Sequence, residues 1–401
     1  MLILFLTSAH NSLSQRLLIE LGERGHEIRV CVAATGEAMI AAVSREAPDL
    51  IIAPMLKIAI PEEVWSRHLC LIVHPGIKGD RGPSSLDWAI ANHEKSWGVT
   101  ILEAADEFDA GPIWASHEFA LKADPPTKSS LYRGQVTEAA VRGVLEAVAR
   151  IESGEFRSGS WQPQKLSDVS PQGSPSLRGC LRPPMRQADR AIDWMRYRTA
   201  MIVRKIRAAD GAPGVLGKLL GKTCFLYGAH EEERLNGPPG QVLARRNGTI
   251  CIGTIDGAVW ISHLKAKAEA REVISLAQPC IGDAELCPVP GIKLPATQVL
   301  GPLLRGLPKA PLPIDAPADY RTFREIVYAE EDQVGYLSFD FYNGAMSTSQ
   351  CLSAPRRVPP RPLPPDSRHR AARWHRFLVE RHPSQCDRGE HRSGHGILAE
   401  H

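Results

Sequence analysis

The sequence lacks the features that mark a secreted or membrane-embedded protein. None of its apolar runs is long enough to cross a bilayer. The apolar segment Met1–Leu6 has no basic flank and continues into His10 and Asn11, which is typical of a first strand and not of a signal peptide. Its nine cysteines are scattered and form no CxxC pair, as expected in a reducing compartment. We therefore expect a cytoplasmic protein without a membrane partner.

The signatures of several ligand-binding classes are missing as well. The first predicted strand is followed by SAHNSLS, which contains no GxGxxG, and the chain contains no P-loop. Cys280 and Cys287 are spaced wrongly for a zinc ribbon. The 48 basic and 45 acidic residues nearly balance, and the net charge of +3 gives no indication of a nucleic-acid surface. The sequence thus predicts neither a metal centre nor a nucleic-acid partner.

Residues 1–153 alternate strand patterns with helix patterns. Buried-strand runs such as Met1–Thr7 and Leu69–Val73 are interleaved with helical runs such as Ser12–Arg24 and Thr137–Ile151. This alternation predicts an α/β domain with a largely parallel sheet that is covered on both faces. Ligands of such sheets bind beyond the carboxyl ends of the strands, so the residues that follow strands are the candidates for chemistry.

The rest of the chain is predicted to form smaller units. Residues 154–190 are rich in Ser, Gly, Pro and Gln and are predicted to be a linker. Residues 191–305 carry short strand-like runs between Gly and Asn turns, which predicts a small β-rich, OB-like domain. Residues 306–333 form a Pro-rich connector with a predicted helix at Tyr320–Glu330, and residues 334–351 look like the opening of a third domain.

His74 and Asp109 are the candidate catalytic pair. His74 directly follows the strand Leu69–Val73, and Asp109 follows the strand Trp97–Glu103. We expect both strand ends to open on the same edge of the sheet, where the carboxylate would fix the imidazole tautomer and favour its protonated form. Such a pair suits acyl transfer, because the imidazole can move a proton or stabilise an oxyanion. The alternative is that His74 is a loop histidine whose hydrogen bonds are satisfied locally and that Asp109 only forms a turn.

These residues resemble a motif of the formyltetrahydrofolate-dependent formyltransferases. Those enzymes share Asn-x-His after one strand and a Gly-Val-Thr strand that leads to Asp-x-Gly. At the position of the first motif the present chain has Val73–His74. At the position of the second motif it has Gly98–Thr100, which leads to Asp109–Gly111. Ile72 stands where the family has Asn, and Ile cannot donate the hydrogen bond that Asn gives to the formyl oxygen. The departure argues against the usual formylation of tRNA or glycinamide.

Longer segments resemble the HypX/HoxX-type NiFe-hydrogenase maturation factors. They are APMLKIAIPEEVW, LIVHPGIKGDRGPSSLDWAI and KSSLYRGQVTEAA in the first domain. RKIRAADGAPGV resembles the opening of that family's second formyltransferase domain, and YLSFDFYNGAMSTSQC the start of its enoyl-CoA hydratase-like domain. The match runs from Met1 to about Cys351 and implies a formyltransferase-like parallel-sheet domain followed by the β-rich domain.

The resemblance implies an enzyme with small-molecule substrates and a role beside the hydrogenase maturation machinery. Members of the family are proposed to pass the formyl group of 10-formyltetrahydrofolate to coenzyme A, and the hydratase-like domain then releases the carbon monoxide that becomes the iron ligand. The resemblance also assigns substrate contacts: Met55, Leu56, Lys57 and Ile58 in the pterin loop, Gly76 among the substrate contacts, and Gln15 and Arg133 toward coenzyme A. Core side chains at Met55 and Leu56 and a solvated Arg133 are the alternatives.

Residues 352–401 differ in character from the rest of the chain. They contain many Arg, Pro and His, no Lys and no hydrophobic period, so we expect a disordered tail. One interpretation is a basic tail that binds an acidic partner. The interpretation we favour is a reading-frame shift, because codons for WHRFLVERHPSQCDRGEH, read one base later, can give GTDFWSNGIHLNVIEAS, which resembles the hydratase-like region. Such a chain would lack the carbon monoxide-releasing domain, and resequencing the codons for Ser349 to Leu363 tests the shift.

Two other functions remain open at this point. One is a different formyltransferase that acts on the amine of an aminoacyl-tRNA or a sugar nucleotide, against which Ile72 and the hydratase-like segment argue. The other is a non-catalytic folate-binding remnant. Unchanged folate affinity in a His74→Ala variant, with turnover in neither protein, would favour the remnant.

Overall fold

The computed structural model describes residues 1–122, 126–165, 179–267, 292–312, 316–317, 319–331 and 334–339. It divides the chain into two compact units, of which the first is Met1–Pro311 with Pro317–Phe323. Among these described residues, no helix has both the length and the apolar character needed to span a membrane. The tail at 352–401 lies outside the described residues, as do Cys280, Cys287 and positions 340–351.

The first unit opens with a six-stranded sheet, which confirms the predicted α/β architecture. Its strands, in chain order, are β1 (Leu2–Thr7), β2 (Glu27–Val32), β3 (Leu50–Ala53), β4 (Cys70–His74), β5 (Ser96–Glu103) and β6 (Ile113–Ala120). The order across the sheet is β2-β1-β3-β4-β5-β6. Strands β1 to β4 pair in parallel, whereas β5 runs antiparallel to both β4 and β6.

Helices cover the two faces of this sheet. They are α1 (Ser12–Gly22), α2 (Gly36–Glu46), α3 (Glu62–Trp65), α4 (Ser85–Ala91), α5 (Lys128–Leu131), a π-helical turn (Tyr132–Val136), α6 (Thr137–Glu152) and α7 (Glu155–Ser158). Alternate residues of β1 serve opposite faces: Phe5 joins the core under α1 and α6, and Leu4 joins the core under α2. Helix α1 starts where the Asn11 side chain accepts a hydrogen bond from the Ser14 N–H at 3.1 Å.

The second domain is an antiparallel sheet with its own core, which confirms the predicted β-rich domain. Its strands are β7 (Val215–Leu219), β8 (Lys222–Glu232), β9 (Val242–Arg246), β10 (Thr249–Thr254), β11 (Gly257–Ala266) and β12 (Leu294–Pro295). The order is β7-β8-β11-β10-β9, and β12 pairs with β11. The domain also has helices α8 (Gln187–Arg190), α9 (Thr199–Ala208) and α10 (Ala296–Leu300), with a 3-10 turn at Gly301–Leu304.

The end of the segment predicted as a linker, residues 179–190, makes ordered contacts with the first domain. We name residues 179–190 the strap. The backbones of Arg81 and the strap pair: Arg81 N donates to Cys180 O at 3.2 Å, and Arg182 N donates to Arg81 O at 2.9 Å. Further along, Met185 N donates to Ser84 Oγ at 3.0 Å. The strap therefore lies along the loop that follows β4.

The described part of the second unit is a β-hairpin. Strands β13 (Ile326–Glu331) and β14 (Val334–Phe339) pair antiparallel. The helix predicted at Tyr320–Glu330 is therefore wrong. The run Ile326–Tyr328 consists of β-branched and aromatic residues, and a pairing strand directly downstream outweighs the helical pattern.

Candidate functional site

His74 ends β4 and lies between two carboxylates. Its side chain is 4 % exposed, its Nε2 is 3.1 Å from Asp80 Oδ2, and its Nδ1 is 3.4 Å from Asp109 Oδ1. The expected proximity of His74 and Asp109 is thus present in the structure. Asp80 is a third member that the sequence analysis missed.

Asp109 reaches His74 by a different route from the one predicted. Because β5 is antiparallel to β4, Thr100 pairs with His74 and Glu103 with Leu71, so the end of β5 lies beside the start of β4. The expectation that both strand ends share one edge of the sheet is wrong. The segment between Glu103 and Ile113 instead brings Asp109 back to the imidazole.

The local backbone of this returning segment is constrained at two positions. Asp109 has a φ of +54°, which aspartate tolerates better than most residues. A Cβ at Gly111 would overlap the carbonyl oxygen of Glu103, so a side chain cannot be accommodated there. Gly82 N donates to Asp109 Oδ2 at 3.0 Å and fixes the carboxylate from its other side.

Asp80 is the most deeply buried charge of the site. Its side chain is 0 % exposed, and its Oδ1 accepts a hydrogen bond from Arg182 Nε at 2.9 Å. Asp80 stands in the loop GDRG, six residues after His74, and this closeness was a signal in the sequence. Arg182 gave no such signal, because it is 102 residues away from Asp80 along the chain.

The two carboxylates hold His74 in its protonated form. Burial by itself lowers the pKa of His74, but the hydrogen bonds and charges of Asp109 and Asp80 outweigh it and raise that pKa to about 9. Burial works to raise the pKa of Asp109, yet the hydrogen bond and charge of His74 bring it below its ordinary value. At neutral pH the site therefore contains an imidazolium flanked by carboxylates.

Gly76 lies directly against the side chains of His74 and Asp80. A Cβ at this position would overlap His74 Nε2 and would lie 2.6 Å from Asp80 Oδ2, so only glycine leaves room for that contact. Thr100 Oγ1 donates to Gly76 O at 2.8 Å and anchors the peptide from β5. The structure thus places Gly76 against His74, where a bulkier residue would separate His74 from Asp80.

The predicted pterin loop follows β3. The carbonyl of Met55 accepts hydrogen bonds from Ser8 N at 2.8 Å and from Thr7 Oγ1 at 2.9 Å. Leu56 and Ile58 are half-buried and pack against the core under α2, together with Ile72. Lys57 is exposed, and its N–H donates to Ser8 Oγ at 2.9 Å. The Leu56 side chain therefore packs against the core, as the alternative interpretation held for it, and Ile58 does the same. The loop is held by hydrogen bonds of its backbone.

The two residues predicted to contact coenzyme A lie on neighbouring elements. Gln15 is exposed on α1, and its Nε2 donates to His10 O at 3.1 Å. Arg133 is half-buried in the π-helical turn. Asn11 and Tyr132 join these elements, since Asn11 Nδ2 donates to Tyr132 OH at 3.0 Å.

An open cleft of about 570 Å³ adjoins the Asp109 side of the site. Its walls include Arg81, Glu107, Gly111 and Lys165, and Arg81 forms an ion pair with Glu107. The side chain of Asp109 is 16 % exposed, whereas that of Asp80 is fully buried, so the site opens on the Asp109 side. In the described parts of the chain, no group of three or more His, Cys, Asp or Glu side chains is arranged to hold a metal ion.

Comparison with known proteins relates both domains to formyl transferases. Residues 3–148 match the family model described as formyl transferase, and residues 184–277 match the formyl transferase C-terminal domain. The chain is 28 % identical to methionyl-tRNA formyltransferase of Thermotoga neapolitana over 227 residues, which are 56 % of this chain and 67 % of that protein.

Two relatives extend over most of the chain. One is the hydrogenase maturation factor HoxX of Bradyrhizobium diazoefficiens, 42 % identical over 351 residues, which are 88 % of this chain and 55 % of that protein. The other is the crystal structure of HypX from Aquifex aeolicus in complex with tetrahydrofolic acid, at 42 % identity and a TM-score of 0.74. That match covers 87 % of this chain and 56 % of the HypX chain. The chain thus spans just over half the length of both relatives.

Proposed function

Because the chain is a HypX/HoxX-type protein with both formyl transferase domains, we propose that it transfers the formyl group of 10-formyltetrahydrofolate to coenzyme A in the maturation of NiFe hydrogenase. The observation that carries the proposal is the buried His74 imidazolium beside Asp109 at the open side of the site. The tetrahydrofolic acid bound to the related HypX chain supports the choice of donor.

In the proposed reaction the thiol sulfur attacks the formyl carbon, and the bond between that carbon and N10 of the folate breaks. The thiol gives up one proton and the leaving nitrogen takes up one, so no oxidant or reductant is needed. The Nδ1–H of His74, whose 3.4 Å contact with Asp109 is the longer of its two, turns to the formyl oxygen as negative charge develops there. Asp109, released from that contact, accepts the thiol proton and passes a proton to the leaving N10. Asp109 is suited to this role because it is the carboxylate on the accessible side.

The presence of Ile72 where the formyltransferases have Asn fits these roles of His74 and Asp109. Ile72 is half-buried against the core under α2 and has no polar hydrogen to donate. The stabilisation of the formyl oxygen then falls to His74 and to the backbone. We propose the backbone of Met55–Ile58 for the pterin edge, Gly76 for contact beside His74, and Gln15 and Arg133 for coenzyme A, because a guanidinium suits phosphate.

On this proposal, formyl-CoA is the precursor of the carbon monoxide that binds the iron. Formyl-CoA would be consumed by a hydratase-like domain of the kind that the segment 334–351 resembles. The partners on this account are the two small-molecule substrates and the hydrogenase maturation machinery.

An acceptor panel tests the proposed function. The full chain is incubated with 10-formyltetrahydrofolate that carries ¹³C in the formyl group, and with coenzyme A, methionyl-tRNA or glycinamide ribonucleotide as separate acceptors. Mass spectrometry should find the label in formyl-CoA and in neither other product. Label in an amine acceptor alone would replace the proposal by a conventional formyltransferase, and bound folate without any labelled product would favour a non-catalytic folate-binding protein.

A further inference from the structure

We propose that Arg182 is a positioning residue for His74, which it reaches through Asp80 from the strap. The inference rests on the role proposed above for His74. The strap lies after the first domain in the chain, so this assignment makes the histidine site depend on a segment outside the strands and helices that build its sheet.

The contacts form a row of alternating charges. Arg182 Nε is 2.9 Å from Asp80 Oδ1, Asp80 Oδ2 is 3.1 Å from His74 Nε2, and His74 Nδ1 is 3.4 Å from Asp109 Oδ1. The Asp80 side chain is fully buried, and a buried carboxylate is costly unless each oxygen meets a partner. Arg182 and His74 together meet that requirement.

The backbone of the strap is built to deliver this guanidinium. Arg182 N donates to Arg81 O, and a Cβ at Gly82 would overlap the carbonyl oxygen of Arg182, so the two backbones meet more closely than a side chain permits. The Arg182 guanidinium also lies 5.6 Å from the centre of the Trp97 ring. The same Gly82 donates its N–H to Asp109, so one short loop fixes both carboxylates that face His74.

Arg182 weakens the electrostatic effect of the Asp80 carboxylate on His74. With Arg182 present, the negative charge of Asp80 interacts with two cations, the Arg182 guanidinium and the His74 imidazolium. The imidazolium therefore stays acidic enough to donate a hydrogen bond to the formyl oxygen. Without Arg182, Asp80 would act on His74 alone, and the imidazole would hold its proton more tightly. The other charged group that faces His74 directly is Asp109, which is itself close to Arg81, the ion-pair partner of Glu107.

The strap contains a second buried ion pair that serves as a matched control. Arg190 Nη2 lies 2.6 Å from Asp87 Oδ1, and Lys128 Nζ lies 2.8 Å from Asp87 Oδ2. This pair fastens the same strap to α4 but does not include Asp80 or His74. An Arg190→Met variant therefore loosens the strap without removing a charge from the row.

The test is a titration of the His74 ring by NMR in the full chain with ¹³C-labelled histidine. The His74 signal is identified by its absence in His74→Gln. We expect Arg182→Met to raise the pKa of His74 and Asp80→Asn to lower it, each by roughly one pH unit. Arg182→Lys should restore the wild-type value, and Arg190→Met should leave it unchanged. Arg182→Gln, which keeps donors without the charge, carries the same expectation if Arg182→Met does not fold.

The outcomes separate this inference from the proposed function. An unchanged or lowered pKa in a folded Arg182→Met or Arg182→Gln chain would overturn the inference, because Arg182 would then only fasten the strap. A pKa shift in Arg190→Met equal to that in Arg182→Met would overturn it as well. The predicted shifts in a chain that forms no formyl-CoA would support the Arg182 assignment and contradict the proposed function instead.

Discussion

At the scale of single residues, the site consists of a histidine whose proton is held by its neighbours. The sequence predicted His74 and Asp109 from their positions after strands, and the structure brings the two within 3.4 Å. Asp80 and Arg182 were not predicted, because their importance comes from burial and from a contact between distant parts of the chain. Sequence patterns report which residues follow strands, but they do not report which loop charges become buried.

The proton on His74 predicts how the stability of the fold depends on pH. The pKa of His74 is about 9 in the folded chain and about 6.5 in an unfolded one. Its contribution to the free energy of unfolding is therefore complete below pH 6.5 and is lost as the pH rises to about 9. We expect the stability gap between wild type and His74→Gln to shrink by on the order of 3 kcal/mol across this range.

Urea unfolding of both proteins at several pH values measures this gap. A comparison at about pH 6 and about pH 9.5 covers the window in which the linkage acts. A gap that stays constant would mean that His74 is not protonated in the folded chain, and the electrostatic account of the site would fail.

At the scale of elements, the site depends on the segment between β5 and β6, because β5 runs in the direction opposite to the predicted one. The predicted parallel arrangement holds for β1 to β4, but β5 turns antiparallel. Strand patterns in a sequence fix where a strand lies and leave its direction open, because both directions bury the same alternating side chains. The prediction was therefore right about the juxtaposition of His74 and Asp109 and wrong about the reason for it.

The returning segment between β5 and β6 is open to a direct test at Gly111. A Gly111→Ala substitution places a Cβ on the carbonyl oxygen of Glu103, so the segment must shift and carry Asp109 away from His74. We expect formyl transfer to fall at least about tenfold, since misplacement of a catalytic group by about an ångström has effects of this size or larger. The rate of formyl-CoA formation measures it.

The control for this variant is Gly22→Ala at the end of α1. Its new Cβ would find its nearest neighbour, Ile28 Cδ1, at 3.9 Å, which is ordinary packing distance. Its transfer rate should stay close to that of the wild type. Equal rates in Gly111→Ala and Gly22→Ala would show that the position of Asp109 does not limit the reaction.

At the scale of the whole molecule, sequence patterns predicted the two domains better than the connection between them. The α/β sheet and the β-rich sheet follow from hydrophobic periodicity and turn residues, which are local signals. The strap is the end of the segment 154–190, which was predicted to be a linker from its Ser, Gly, Pro and Gln content. In the structure Trp88 Nε1 donates to Pro183 O at 2.9 Å, and Arg190 pairs with Asp87. Composition does not show that such a segment is held by a few buried charges.

The central claim is that His74 promotes formyl transfer from 10-formyltetrahydrofolate to coenzyme A. The most direct measurement compares single-turnover formation of labelled formyl-CoA by wild type and His74→Ala, with folate affinity measured on the same samples. Loss of a proton donor of this kind costs roughly 10² to 10⁴ in rate. We predict a loss in that range with folate affinity nearly unchanged, whereas a His74→Ala chain that forms formyl-CoA at the wild-type rate would contradict the account.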